Sequence, residues 1–225
     1  MANLCDTQYK ITGEKKAVAD LWNTLQEMNV NEKNIWLGDL ANHYGIDYKA
    51  KGFSVRGEIY WAEYEEYSDY ALLSFDTETA WAACNDFFDA LNEKFDGAFS
   101  ISYREIECGW GIFCVHDEGE HFPEECCVSA YGEPFEAMNE EPFDTVADAI
   151  EVWCEKSGIK RGERSDEEML EYIAQYEYED DETFFFINNT KPNFIPFFIC
   201  PLTSRKVNKI AKMLTKMSTN IRYCI

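Results

Sequence analysis

Residues 53–75 read FSVRGEIYWAEYEEYSDYALLSF. This stretch predicts the hairpin at the centre of the fold, and the segments on either side of it complete the pattern. Apolar and polar side chains alternate over residues 53–61, and apolar and aromatic side chains fill residues 70–75. Both patterns predict β-strands. The acidic segment between them, residues 63–69, is predicted to be the turn that joins the two strands into an antiparallel hairpin.

The segments on either side of this hairpin each predict a strand and a helix. Upstream, residues 5–12 predict a strand and residues 14–28 an amphipathic helix, followed by a short helical insertion at residues 35–44. Downstream, residues 79–95 predict a helix and residues 99–106 an alternating strand. This order is that of the ferredoxin-like split βαβ fold, so we predict an α+β protein with an antiparallel sheet and two helices on one face.

The remaining chain predicts a smaller acidic α/β extension and a basic tail. Ser165, followed by three acidic residues, is the expected N-cap of a helix. The predicted domains are residues 1–120, 121–182 and 183–225. A further strand is predicted at residues 110–115, near the end of the first domain. In the last two domains, strands are predicted at residues 126–131 and 184–187, and helices at residues 144–157, 165–176 and from Thr203 onward.

The charge of the chain is distributed unevenly. The formal net charge is −23, but residues 183–225 contain seven Lys/Arg and no Asp or Glu, so residues 1–182 carry −30. Such a field repels nucleic acid and anionic membranes and attracts basic protein surfaces. We therefore predict a basic protein partner, and neither direct nucleic-acid binding nor membrane binding. The basic amphipathic helix of the tail is expected to dock on the acidic body of its own chain, or of a second copy in a homodimer.

Three segments of the chain resemble the YubB-type ferredoxin-like domain family. They are the opening MANLC with the strand ending at Thr12-Gly13, residues 73–81 (LSFDTETAW) and residues 103–111 (YREIECGWG). The resemblance covers about residues 1–120. It implies a ferredoxin-like fold and a setting in phages, conjugative plasmids and their host genomes. Because that family has no agreed catalytic residues, the resemblance implies none here.

Clusters of carboxylates are the candidate partner-binding residues. The function predicted is a non-enzymatic acidic binding protein of mobile-element type, and in its most specific form a DNA mimic that inhibits a host DNA-binding or defence protein. The alternative is an accessory or structural protein whose acidity serves only solubility. The residues predicted to bind the partner are Glu63, Glu65, Glu66, Asp69, Asp117, Glu118, Glu120, Glu124 and Glu125.

A metal-dependent enzyme is the third alternative. Its weak candidate ligands, Cys108, Cys114, His116 and His121, lie within 14 residues, and zinc accepts such ligands. Their spacing lacks the tight pairs of a zinc finger, and core cysteines beside loop histidines are the competing interpretation. The chain has no GxSxG, Walker A or HExxH motif, so no catalytic residue and no cofactor is predicted.

The cysteines and the apolar runs predict a cytoplasmic protein. The nine cysteines include no CxxC pair, and the first residues lack the features of a signal peptide, so reduced thiols are expected. The longest apolar run, residues 194–200, is interrupted by Pro196 and is too short to cross a membrane.

Overall fold

The chain is an α+β protein whose strands pair antiparallel, and it divides into two compact units between Pro123 and Glu124. The computed structural model describes residues 3–107 and 112–189, and the structural statements below concern those residues. The sequence prediction of an α+β protein with antiparallel sheets is thereby confirmed.

The first unit is built on a six-stranded sheet with the strand order β2-β3-β4-β1-β5-β6. Every pair of neighbouring strands is antiparallel. The elements in chain order are β1 (Leu4–Gly13), α1 (Lys15–Glu27), β2 (Ile35–Trp36), α2 (Leu37–His43), α3 (Tyr48–Lys51), β3 (Gly57–Glu66), β4 (Ala71–Ala80), α4 (Asn85–Lys94), β5 (Phe99–Glu107) and β6 (Ile112–His116).

One face of this sheet is buried in a hydrophobic core. Along β1, alternate residues such as Tyr9 and Ile11 are buried, whereas the residues between them are exposed or half-buried. The buried face packs with the apolar stripes of α1 and α4, for example Leu21 and Phe88. The inward side chains of the strands and the apolar stripes of the helices therefore form one core. The opposite face of the sheet is available to polar side chains.

The prediction of a helix over residues 79–95 is wrong at its beginning. Strand β4 continues through Ala80, and α4 starts only at Asn85. Thr77 and Thr79 are buried and lie opposite Thr7 and Cys5 of β1. These β-branched side chains fit a pleated, buried surface better than the first turn of a helix, so strand pairing prevails.

Two further boundaries around the hairpin differ from the sequence prediction. The acidic segment 63–69 is not all turn, because β3 continues to Glu66 and pairs there with Ala71; the strand also begins at Gly57 rather than at residue 53. Ile35 and Trp36 form the short edge strand β2, and the predicted helix begins only after them, at Leu37. In both places backbone pairing with a neighbouring strand extends the sheet beyond the local pattern.

The second unit packs two helices on a three-stranded sheet with the strand order β8-β7-β9. Trp153, Met169 and Phe185 are central to its core, and Trp153 Nε1 donates a hydrogen bond to Tyr178 Oη at 2.8 Å. The elements are β7 (Cys126–Tyr131), β8 (Met138–Phe143), α5 (Val146–Ser157), α6 (Asp166–Gln175) and β9 (Phe184–Asn189).

The strands and helices predicted in this unit are confirmed, and the structure adds one strand, β8, that was not predicted. The β8 sequence MNEEPF is mostly polar and contains Pro142, as suits an edge strand with one neighbour. The predicted basic helix from Thr203 lies outside the described residues. Among the described helices, none has the length and apolar character needed to cross a membrane.

Candidate functional site

Four carboxylates lie together on the exposed face of the six-stranded sheet. Glu58 of β3 is directly opposite Glu78 of β4, and Glu78 is directly opposite Asp6 of β1. Asp76 precedes Glu78 by two residues and therefore shares its face. Because neighbouring strands are ~4.8 Å apart, these side chains are crowded. We call Asp6, Glu58, Asp76 and Glu78 the acidic patch.

Burial and, secondarily, the crowding of like charges set the pKa values in the acidic patch. Burial raises the pKa of Asp6, Asp76 and Glu78, and the charge of Asp6 raises the pKa of the other two further. The charge of Glu58 adds to the effect on Glu78. Within residues 3–107 and 112–189, none of the four carboxylates forms an ion pair. The patch therefore concentrates negative charge that a cationic ligand would neutralise.

Two tryptophans border the acidic patch. Trp36 lies opposite Glu58 and is 46% exposed, and Trp61 lies opposite Asp76 and is 38% exposed. The register of β3 shifts between Ile59 and Trp61, which is a β-bulge at Tyr60. Bulges re-aim side chains and are frequent beside functional sites. Large aromatic side chains exposed beside carboxylates are typical of interaction surfaces.

A shallow groove of about 600 Å³ lies at this bulge, and it is lined by Gln8, Lys10, Tyr60, Trp61, Ser74 and Asp76 together with Tyr9 and Phe75. Two cations are nearby, and each is held by a polar neighbour. Lys10 Nζ donates to Ser74 Oγ at 2.9 Å, and Arg104 Nη2 donates to Gln8 Oε1 at 2.6 Å. Their charges lower the pKa of Asp76, but burial outweighs them.

The first predicted acidic cluster lies partly on the same face. Glu63 and Glu65 are exposed and lie opposite Ser74 and Leu72, so they continue the exposed face of β3. Glu66 instead forms an ion pair with Lys15 at 3.1 Å, and this contact lowers the pKa of the Glu66 carboxyl. Asp69 lies in the turn between β3 and β4.

The second predicted cluster is split between the two units. In the first unit, the Asp117 carboxylate accepts hydrogen bonds from the backbone N–H groups of Gly119 and Phe122, at 3.0 and 2.7 Å. Burial raises the pKa of Asp117, but these backbone bonds outweigh it, and the net shift is downward. Glu118 accepts from Ser100 Oγ at 2.6 Å, and Glu120 is exposed in the same loop.

Glu124 and Glu125 belong to the second unit. Glu125 accepts a hydrogen bond from the backbone N–H of Val146 at 3.3 Å, at the start of α5. Glu124 is half-buried. Backbone hydrogen bonds thus hold the Asp117 carboxylate within its own loop and the Glu125 carboxylate at the start of α5.

The weak metal candidates are only partly brought together. Cys114 and His116 share one face of β6, and His116 Nε2 lies 3.6 Å from Glu118 Oε1. His121 is in the loop beside Gly119, and Cys108 lies outside the described residues. In the part of the chain that the structure describes, no group of three or more potential ligands is placed to hold a metal ion.

The buried thiols are not disposed to act as nucleophiles. Burial raises the pKa of Cys5 and Cys126 to about 12 and that of Cys84 to about 11. Thiols with such pKa values are protonated at neutral pH, whereas nucleophilic cysteines need the thiolate.

None of the four residues of the acidic patch, Asp6, Glu58, Asp76 and Glu78, was among the predicted binding residues. The signal that could have identified Asp76 and Glu78 is the alternation in DTET, residues 76–79, where acids and threonines take opposite faces of a strand. That stretch was interpreted as leading into a helix, which hid the alternation. The pairing of three strands then brings the acids together across 72 residues of sequence.

Comparison with known proteins found no matching family model, no matching curated protein and no matching solved structure. The chemistry of the acidic patch is therefore the guide to function. Carboxylates beside exposed aromatic rings can bind cationic side chains through ion pairs and cation–π contacts.

Proposed function

We propose that the protein is a non-enzymatic binding protein whose acidic surface engages a basic surface of another protein. The observation that carries this proposal is the acidic patch, where like charges face each other across three strands without an ion pair among the described residues. Like-charged residues directly opposite each other destabilise a sheet. A basic partner would relieve this repulsion, whereas a phosphate-bearing ligand would increase it.

We further propose that the first unit is a ferredoxin-like split βαβ domain of the YubB type, in a cytoplasmic protein of phage or plasmid origin. The order β3-β4-β1-β5, with α1 following β1 and α4 following β4, supports the ferredoxin-like topology. The YubB type and the phage or plasmid setting rest on the resemblance of the three sequence segments. In the first unit, the sheet face opposite the helices carries the acidic patch.

In its most specific form the proposal is DNA mimicry, in which the carboxylates occupy the phosphate-binding cleft of a host DNA-binding or defence protein. About 40 Å of duplex DNA carries roughly 24 negative charges. The net charge of −30 on residues 1–182 is of that order. A mimic of this kind would bind in competition with DNA and would lose affinity at high salt.

The test compares two triple variants with the same net charge. The first neutralises the acidic patch through Asp6→Asn, Glu58→Gln and Glu78→Gln. The second neutralises three exposed acids of the second unit through Glu151→Gln, Glu163→Gln and Glu171→Gln. Tagged wild-type protein captures partners from host lysate at low and at ~0.5 M salt. Each captured protein is then purified and titrated with all three forms, and with duplex DNA as competitor.

The proposal predicts that the first triple variant loses affinity for the partner and that the second retains it. Displacement of the partner by duplex DNA would support mimicry, and a partner that DNA does not displace would exclude it. Equal affinities of both variants and the wild type would contradict the patch as the binding site. If no basic protein binds the wild type at either salt concentration, solubility is the simpler account of the charge.

A further inference from the structure

We infer that the groove at the β3 bulge accepts a guanidinium side chain of the basic partner, stacked on the ring of Trp61 and paired with the carboxylate of Asp76. This inference rests on the proposed function and names the chemical group that its surface recognises. It assigns to the groove a selectivity for arginine over lysine, which a diffuse acidic surface would not have.

The bulge is what makes this groove. Without it, Tyr60 and Trp61 would point to opposite faces of the sheet, as successive residues of a strand do. The register shift places Trp61 opposite Asp76 and leaves both aromatic side chains substantially exposed, Tyr60 at 41% and Trp61 at 38%. Both residues line the groove, and Asp76 lines it too. An aromatic surface and a carboxylate are therefore next to each other.

The charges around the groove favour a cationic occupant. Asp6, Glu58 and Glu78 lie beside Asp76 on the same face, and Glu63 is the next exposed acid along β3. Among the described residues, the cations whose charges act on Asp76 are Lys10 and Arg104. Lys10 is bonded to Ser74 Oγ at 2.9 Å, and Arg104 to Gln8 Oε1 at 2.6 Å. The carboxylates thus outnumber the cations, and the surplus is negative.

A guanidinium fits this combination better than an ammonium does. It is planar, so it can stack on an indole ring while its edge donates two parallel hydrogen bonds to a carboxylate. An ammonium is a compact, strongly hydrated charge that makes neither contact as well. The open, shallow form of the groove suits a flat group whose edges remain near water.

The experiment uses the full chain and two fluorescent peptides of equal length, one of six arginines and one of six lysines. Fluorescence anisotropy gives the dissociation constant of each peptide at low salt. The variants are Trp61→Val, which suits a strand but lacks the ring, Trp61→Tyr, which retains a ring, and Asp76→Asn. Phe186→Val is the matched control, because Phe186 is an aromatic strand residue of the second unit that is 39% exposed and lies outside the groove. Circular dichroism verifies that each variant is folded.

Wild-type protein is expected to bind the arginine peptide about fivefold more tightly than the lysine peptide, in the range of an exposed cation–π contact. Trp61→Val and Asp76→Asn should abolish this preference, whereas Trp61→Tyr and Phe186→Val should retain it. If both peptides bind with equal affinity, or if Trp61→Val retains the preference, the groove is not an arginine site. That result would leave the proposed binding of a basic partner by the acidic surface unaffected. If neither peptide binds the wild type, the proposed function fails as well.

Discussion

Glu105 is a carboxylate buried in the first unit, on the face of β5 that points toward the helices. Its Oε1 accepts hydrogen bonds from the backbone N–H of Ala83 at 2.9 Å and from Cys5 Sγ at 3.5 Å. Ala83 lies in the link between β4 and α4, next to Trp81, whose φ of 77° is unusual for a bulky residue. Glu105 therefore helps to hold this link, together with the hydrogen bond from the Trp81 N–H to the Asn3 carbonyl at 2.9 Å.

We expect Glu105→Ala to lower the free energy of unfolding by about 1–3 kcal/mol, because it leaves the Ala83 N–H without its acceptor. Glu105→Gln is the matched control, since its side-chain oxygen can still accept that hydrogen bond. Urea denaturation of the three proteins measures the difference. Equal stability of the alanine and glutamine variants would show that the hydrogen bond to Ala83 contributes little.

Glu78 lies between Asp6 and Glu58, and its raised pKa has a consequence for stability. A carboxyl whose pKa is higher in the folded state binds protons more tightly there than in the unfolded state. Its contribution to the free energy of unfolding therefore becomes unfavourable as pH rises from the unfolded pKa through the folded pKa. Glu78→Gln should therefore raise stability at pH 7 by about 0.2–1 kcal/mol, since like charges then no longer face each other.

The gain in stability from Glu78→Gln should disappear well below the unfolded pKa of about 4.3, because Glu78 is then neutral in both the folded and the unfolded state. Thermal melts at pH 7 and at about pH 3, more than one unit below that pKa, provide the comparison. The control is Glu171→Gln, at an exposed helix residue outside the patch. A gain that is the same at both pH values would mean that charge repulsion is not its cause.

At the scale of elements, α6 begins with a reciprocal capping box. Ser165 Oγ accepts from the backbone N–H of Glu168 at 3.2 Å, and the Glu168 carboxylate accepts from the backbone N–H of Ser165 at 2.9 Å. Ser165→Ala should lower the free energy of unfolding by about 1 kcal/mol, and Ser165→Asn, another good N-cap, should retain most of it. Chemical denaturation followed by helical circular dichroism tests this, and equal losses in both variants would contradict it.

The capping box was also the kind of feature that sequence could predict, because its signal is local. Ser165 and the acids after it marked the start of α6, and alternation marked β1 and β5. The strand β8 and the extension of β4 through Ala80 escaped prediction because pairing partners outside the local window determine them. The acidic patch depends on the pairing register of β1, β3 and β4, which the sequence does not show. Of the acids on this face, only Glu63 and Glu65 beside the patch were therefore predicted to bind a partner.

At the scale of the whole molecule, the net charge of −23 implies that repulsion opposes the compact state. Raising NaCl from ~10 mM to ~0.3 M shortens the Debye length from about 30 Å to below 10 Å, so the melting temperature should rise. The rise should be smaller in the variant with Asp6→Asn, Glu58→Gln and Glu78→Gln. A melting temperature that falls with salt would show that favourable ion pairs outweigh the repulsion.

Chemical modification of the buried cysteines can report the local unfolding of each unit separately. Cys5 and Cys84 lie in the first unit and Cys126 in the second, and their pKa values of about 12, 11 and 12 keep them unreactive toward alkylating reagents while they are covered. Modification then requires a fluctuation that exposes the thiol. Mass spectrometry of peptides from one labelled sample would thus give two separate opening equilibria, without any substitution in the chain.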